Sequence, residues 1–372
     1  MLMGPQSFTV AGVMVCLHES VHHMQASLGV VVTDGEGWMK GLQWNGHGSM
    51  RPCWRHANVF RKDAGMVDAA LGYVDITCSD PLSLRPWTPA QLARTLDQVL
   101  DARDRLATRE RGWSQARVNR VIKHAGFCPT PTGLLVDLDL RRQVDFLRIC
   151  AYDWMHTTFQ DGWMSNAIWL VIEAISTTKR GAPCEEFITH LRACRYPLAK
   201  SSEGSFLVRL FDPLMVAKHR RKGALVANAS HQFALYPLVR DYALKEAQPT
   251  GLRRHVAVYI VACKVVDLIK LVKHRRLSTQ DAKPLLLTAL GEWFHLHKVQ
   301  YGTVHVTPKF FWMWAIAERI ADEEWLFDMF YIERQHKRVK PHAEMVKNLK
   351  RFEEGVLMRV ADAQACCRCF TL

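Results

Sequence analysis

The chain has 372 residues, 49% of them hydrophobic, which suits one large domain or two modest ones with a sizeable core and argues against disorder over most of its length. Its formal net charge of +13 favours a polyanionic partner, either nucleic acid or an anionic membrane surface. The eleven cysteines lack the spacing of a secreted disulfide scaffold and no secretory signal is evident, so a reducing compartment with free or metal-bound thiols is expected.

Residues 8–17 are a short apolar stretch without a basic region before it. The run GVVVT just before Asp34 reads as a buried strand, the glycine-bearing stretch 35–65 as loop and turn, and YVDIT at 73–77 as a second short strand. After Pro89 the pattern is helical. Thr88 is placed to cap the first helix, Pro89 takes its first position, and apolar residues recur three and four apart. Further helices are expected at 112–125, 140–150, 153–177, 183–194, 222–245, 252–274, 278–299, 308–320, 322–338 and 342–364, with loops at 128–133, 180–183 and 248–251. The best membrane candidate, His255 to Leu271, is short and interrupted by Lys264 and Asp267, so a buried helix and no membrane partner are expected. Most of the twelve tryptophans belong in a core, with a minority free to stack on bases.

Four constellations carry candidate chemistry. His18-Glu19-Ser20-Val21-His22, if helical, puts two imidazoles on one face to hold Zn²⁺ with Glu19 as general base, the pattern of a zinc metalloprotease. His47 and His56 are the nearby third-ligand candidates, but neither sits in a third-ligand motif and almost no sheet precedes the match. Cys53-Trp54-Arg55-His56 offers two ligands of a structural zinc site, or a turn with a buried cysteine. Asp153 and His156, three apart, share a helix face and could bind a metal, or act as an N-cap and a buried histidine. Glu333 is either a metal-binding carboxylate or the partner of Lys337 in a surface ion pair. Basic clusters at Lys218–Lys222, Lys273–Arg276 and Arg334–Lys340 read as solvated helix faces or as a surface for a phosphate backbone. The candidate DNA contacts are Lys218, Arg220, Arg221, Lys222, Arg334, Lys337, Arg338 and Lys340.

In this order, TDGEGWMKGLQWNGHGSMRPCWRH, YVDITCSDP, GLLVDLDLR, the Asp153–His156 unit and LFDMFYIERQHKRVKPHAEMVKNLKRFEEGVL resemble the transposase of CACTA-type (En/Spm-like) DNA elements, from about residue 30 to about residue 360. The resemblance implies an RNase H-like enzyme whose two Asp and one Glu hold two Mg²⁺ ions for DNA cleavage and strand transfer, with basic surface for the DNA ends. Carried over, it makes Asp34, Asp153 and Glu333 catalytic and Cys53, His56 and His156 candidate structural Zn²⁺ ligands. The sequence also departs from the pattern. The first family Asp belongs on a strand well before Asp34, where residues 1–33 hold only Glu19. His56 replaces the second cysteine, and the two family histidines fall at Phe311 and Ala315, so a zinc site would have to be rebuilt with His156 or His305.

The expectation is therefore a mainly α protein, a large helical insertion domain packed on a truncated RNase H-like α/β remnant. Residues 1–85 would be the remnant with its C-x-x-H loop, 86–305 the helical insertion, 306–365 the C-terminal helices carrying Glu333, and 366–372 a tail with Cys366, Cys367 and Cys369. The expected function is that of a transposase-derived, catalytically incomplete, DNA-binding protein of the nucleus (otherwise the cytoplasm), able to form homo-oligomers. The alternatives are the zinc metalloprotease of His18, Glu19 and His22, and a non-catalytic DNA-binding or scaffold module.

Overall fold

The computed structural model describes residues 13–17, 20–24, 31–33, 35–46, 48–62, 72–131, 133–179, 184–195, 201–246, 251–322 and 326. The described chain begins with β1 (Val13–Leu17), β2 (Ser20–Met24), β3 (Val31–Thr33), α1 (Gly35–Gly41), β4 (Val59–Phe60) and β5 (Val74–Asp75). Then come α2 (Pro89–Ala107), α3 (Gln115–Ala125), α4 (Leu138–Gln143), α5 (Phe146–Ile149), β6 (Cys150–Tyr152), α6 (Trp154–Thr158) and α7 (Trp163–Thr177). The remainder is helical: α8 (Glu185–Ala193), α9 (Ser201–Arg209), α10 (Pro213–Lys222), α11 (Ala229–Lys245), α12 (Arg253–Lys273), α13 (Thr279–Tyr301) and α14 (Pro308–Arg319). The protein is thus mainly α. Residues 1–327 form one compact unit and 328–372 another, so the sequence regions 1–85 and 86–305 and the start of 306–365 fall within the first.

The strands pair two by two. β1 and β2 are antiparallel, β3 and β6 are parallel with Thr33 opposite Tyr152, and β4 and β5 are parallel. The expected strands before Asp34 and at 73–77 are present in shortened form. Several local expectations are revised: the helix expected over 140–150 is divided into α4 and α5 with Cys150 in β6, and the one expected over 222–245 begins only at Ala229. Residues 35–41, read as loop, are the helix α1. Residues 20–24 form the strand β2, so His22 does not lie on the helix that the zinc-site alternative calls for.

Capping follows the sequence closely. The Thr88 hydroxyl accepts from the Gln91 amide and the Gln91 side chain answers to the Thr88 amide, a reciprocal cap with Pro89 just inside. The core is built on α7, which is largely apolar, is buried over most of its length and packs against α6, α11 and α12. Ile168, Val171, Ile172 and Ile175 lose all contact with water, each worth about 1.5–3 kcal/mol relative to exposure. α12 runs along α13 and buries Val256, Tyr259, Cys263, Val266 and Ile269. The charges that interrupt its apolar run have partners: Asp267 accepts from the Tyr236 hydroxyl (2.9 Å) and Arg240 (2.5 Å), and Lys264 lies 4.0 Å from Glu292. No helix among the described residues is long and apolar enough to cross a membrane.

The single helix expected over 153–177 is divided into α6 and α7. The corner contains Asp161 at φ 53° and Gly162, whose Cα approaches the backbone of α6 so closely that a Cβ would lie 2.3 Å from the Thr157 carbonyl oxygen. Gly291, inside α13, has room: an added methyl would meet the Trp314 ring at 3.7 Å, an ordinary contact. Gly162→Ala should therefore destabilise the fold by about 2–3 kcal/mol through forced backbone movement. Gly291→Ala should be neutral or stabilise it by up to about 1 kcal/mol through lost chain entropy. Urea unfolding of the two variants beside the parent checks the contrast.

Candidate functional site

Three elements distant in sequence meet around Cys53 and His56: the loop 50–56, the strand β6 and the helix α14. α14 is buried from Phe310 to Ala317, and it is fastened to the loop by the Trp312 indole, which donates to the Pro52 carbonyl at 2.9 Å. Tyr152, the last residue of β6, stacks on Trp312 with ring centroids 4.8 Å apart and planes 12° from parallel. Its hydroxyl accepts from the Trp54 amide (3.4 Å) and donates to the Cys53 sulfur (3.8 Å). Arg55 and Arg319 turn their guanidiniums onto the carbonyls of Leu147, Arg148 and Cys150 around the end of α5, where cations suit unsatisfied carbonyls.

Within this junction His56 is 0% exposed and bridges two acceptors. Its Nδ1 lies 3.2 Å from Cys53 Sγ and its Nε2 2.8 Å from Glu318 Oε2. An imidazolium donates from both nitrogens, so this surrounding selects the charged form. Burial works against that charge, but the facing Cys53 sulfur and the Glu318 carboxylate outweigh it and push His56 up to about 9. Burial likewise opposes a thiolate at Cys53, and His56 outweighs it, holding the thiol below its ordinary value. Cys150, buried nearby without such a partner, is pushed up to about 12.

A thiol, an imidazole and a carboxylate in series are the parts of a nucleophilic triad. Here Cys53 is 1% exposed and His56 is completely enclosed, so no substrate reaches the sulfur in this conformation. The chain of contacts instead binds the loop to α14. Sequence reasoning missed Glu318. Its one signal is position: with Phe311 and Ala315 it recurs at spacings of four and three, which places all three on one face of α14.

The metal-site expectations fare differently from one another. Phe311 and Ala315, where the resemblance puts two histidines, do lie at this junction. The Phe311 ring meets His56 edge-on at 5.4 Å, and Ala315 lines a small cavity with Trp54, Arg55 and Tyr152. Neither side chain can bind a metal, and both nitrogens of His56 are engaged, so Cys53 and His56 do not make up a four-ligand zinc site. His156, the proposed additional ligand, is directed elsewhere: its Nδ1 lies 2.5 Å from Asp153 Oδ2. Asp153 also caps α6, accepting from the Met155 amide (3.2 Å) and the His156 amide (2.8 Å). A carboxylate that already receives three donors and is 2% exposed is poorly disposed to hold Mg²⁺. Among the described residues no group of three or more His, Cys, Asp or Glu side chains is arranged to hold a metal ion.

The remaining candidates divide between described and undescribed positions. Asp34, Glu333, Arg334, Lys337, Arg338, Lys340, His18 and Glu19 lie outside the described residues, and His22 is known only as part of β2. Arg220, Arg221 and Lys222 lie in the last turn of α10, just after Lys218, where cations suit the helix dipole. Two of these charges are answered locally, Arg220 by Glu173 at 3.2 Å and Lys222 by Asp161.

The Glu318–His56 contact has a pH signature. A histidine raised from 6.5 to about 9 contributes stability that is fully present below about 6.5 and is lost as the pH rises through about 9. Removing the carboxylate charge lowers proton binding by the folded state across that interval, whatever Cys53 does. The stability gap between the parent and Glu318→Gln should therefore be widest near pH 6 and shrink by pH 9.5, as read from urea midpoints at the two pH values. A gap that is constant or widens would contradict the charged pair. No protein-family model matches this chain, and no curated protein or solved structure is significantly similar to it.

Proposed function

We propose that this chain is a transposase-derived protein of the nucleus that has lost metal-dependent DNA cleavage and strand transfer and retains DNA binding. The observation that carries this reading is the apposition of the Cys53–His56 loop with the Phe311–Ala315 face of α14. The resemblance to CACTA-type transposases requires those four positions to converge, because in that family they would share one metal. Their convergence across the whole helical region, with phenylalanine and alanine in place of two ligands, is what a decayed zinc site would leave. With only two ligands remaining, Glu318 takes the second nitrogen of His56 and a hydrogen-bonded clasp replaces the metal.

The strand pair supports the same reading. Thr33 and Tyr152 are opposite each other on the parallel strands β3 and β6, and the next residue in sequence after each is an aspartate, Asp34 and Asp153. Adjacent parallel strands that each lead into an aspartate suit an RNase H-like sheet, in which paired carboxylates flank two metal ions. Asp153 is now committed to the α6 cap and to His156. A site that loses carboxylates to internal hydrogen bonds forfeits the electrostatic stabilisation on which such chemistry depends. The net charge of +13 remains suited to a nucleic-acid partner.

The purified protein incubated with supercoiled plasmid and Mg²⁺ should neither nick nor join DNA, while binding duplex DNA with an affinity that falls steeply with salt. Mg²⁺-dependent nicking that disappears in Asp153→Asn and Glu333→Gln would overturn the loss of catalysis. Absence of DNA binding at low salt would overturn the retained function.

A further inference from the structure

A basic surface among the described residues lies outside the sequence clusters. α2 and α3 are joined by the turn 108–114 and pack on each other. Between them lies a groove of about 630 Å³ lined by Arg51, Thr95, Gln98, Arg117, Arg120, Val121, His124 and Ala125. Cationic and hydrogen-bonding side chains line it and no carboxylate does. From residue 109 to 124 the chain carries Arg109, Arg111, Arg117, Arg120 and Lys123 against Glu110 alone.

The helix that forms one wall contributes little to the core. α3 buries only Val118 and Ala125, and Arg117, Arg120, Lys123 and His124 are exposed. Spacings of three and four put Arg117, Arg120 and His124 on one face, aligned with the groove. Their surroundings hold this face ready for an anion. The Arg117 guanidinium lies 4.2 Å over the Trp113 ring and donates to the Gly112 carbonyl at 3.1 Å, which fixes its direction while leaving its charge unanswered. The Arg120 side chain has no ion pair or hydrogen bond among the described residues. Three of the acidic neighbours are engaged elsewhere: Asp97 pairs with Arg141, while Asp101 and Glu110 pair with Arg105.

Arg51 supplies the floor. Its Nε donates to the His124 carbonyl at 2.7 Å and another nitrogen to the Ala57 carbonyl, and its guanidinium lies 4.5 Å from the Phe60 ring and 5.2 Å from the Trp87 ring. No carboxylate pairs with it among the described residues. A half-buried guanidinium held only by carbonyls and aromatic faces keeps its positive charge directed at whatever fills the groove. On α10, by contrast, Glu173 and Asp161 answer two of the four candidate charges.

We propose that the groove between α2 and α3 is the principal duplex-DNA surface of this unit, with Arg117 and Arg120 contacting the phosphate backbone over the floor formed by Arg51. The assignment rests on the DNA-binding reading given above and locates it. Backbone contact of this kind is independent of base sequence and strongly dependent on salt.

The test is fluorescence-anisotropy binding of a labelled mixed-sequence DNA duplex by the full chain, titrated between about 50 and 200 mM salt. Arg120→Ala should lower the slope of log affinity against log salt by about 1, and Arg117→Ala/Arg120→Ala by about 2 with at least about tenfold weaker binding. Arg120→Lys, which keeps the charge, should bind nearly as the parent does. Circular dichroism and an unchanged urea midpoint identify variants that remain folded, and Arg120→Ala removes no described contact. If the parent binds and both groove variants match it while Lys218→Ala/Arg221→Ala weakens binding, the groove is overturned and the DNA-binding reading stands. If the parent fails to bind even at the lowest salt, both fall. Preferential capture of an acidic protein or an anionic vesicle over the duplex would also overturn the groove's assignment to DNA.

Discussion

An imidazole removed from water needs a partner for each nitrogen, or it carries the full cost of desolvation. At His56 those partners come from the same tight loop, at Cys53, and from the far end of the chain, at Glu318. Meeting that requirement draws the loop 50–56 onto α14, and other contacts follow from the approach. The Trp312 indole reaches the Pro52 carbonyl, Tyr152 stacks beneath Trp312, and the Tyr152 hydroxyl reaches both Trp54 and Cys53. α14 in turn packs on α13, α6 and β6, so the clasp connects the short strands to the helical body.

Charge distribution follows a related logic. Inside the junction, cations are matched by carbonyls and carboxylates: Arg55 and Arg319 against the end of α5, and His56 against Glu318. On α12 and α10 several charges find opposite charges on neighbouring elements, Asp267 with Arg240, Arg220 with Glu173 and Lys222 with Asp161. The hairpin of α2 and α3 is the exception, because Asp97, Asp101 and Glu110 pair with Arg141 and Arg105 and no carboxylate lines the groove with its guanidiniums. The two regions are connected through the loop 50–56, which contributes His56 to the clasp and also holds Arg51, whose Nε reaches the end of α3.

The clasp and the α6 cap both illustrate how residues suited to metal chemistry serve equally well in structure. Asp153 and His156 have the identity and spacing of ligands, yet helix capping consumes the same lone pairs. Cys53 and His56 have the spacing of a zinc half-site, yet each can satisfy the other. Which use prevails is set by what else reaches them, and at this junction a phenylalanine, an alanine and a glutamate reach them.

Periodicity and capping, both local, made most of the helices readable from the sequence. Thr88 with Pro89 and Gln91 marked the start of α2, and the apolar runs marked α12, α13 and α14 almost to their ends. The all-apolar stretch after Asp153 showed that something there would be fully buried. The division into α6 and α7 was not legible, because it depends on how closely Gly162 approaches the backbone of the preceding turn. α1 was misread because its glycines signal a loop, whereas Trp38 and Leu42 are buried at this end of the chain and hold it in place. The pairing of β3 with β6, the capture of His56 by Glu318, and the gathering of Arg51, Arg117 and Arg120 around one groove were decided only by tertiary structure. Each joins residues with no local pattern in common, and burial and charge balance act on distance in space, which spacing along the chain does not reveal.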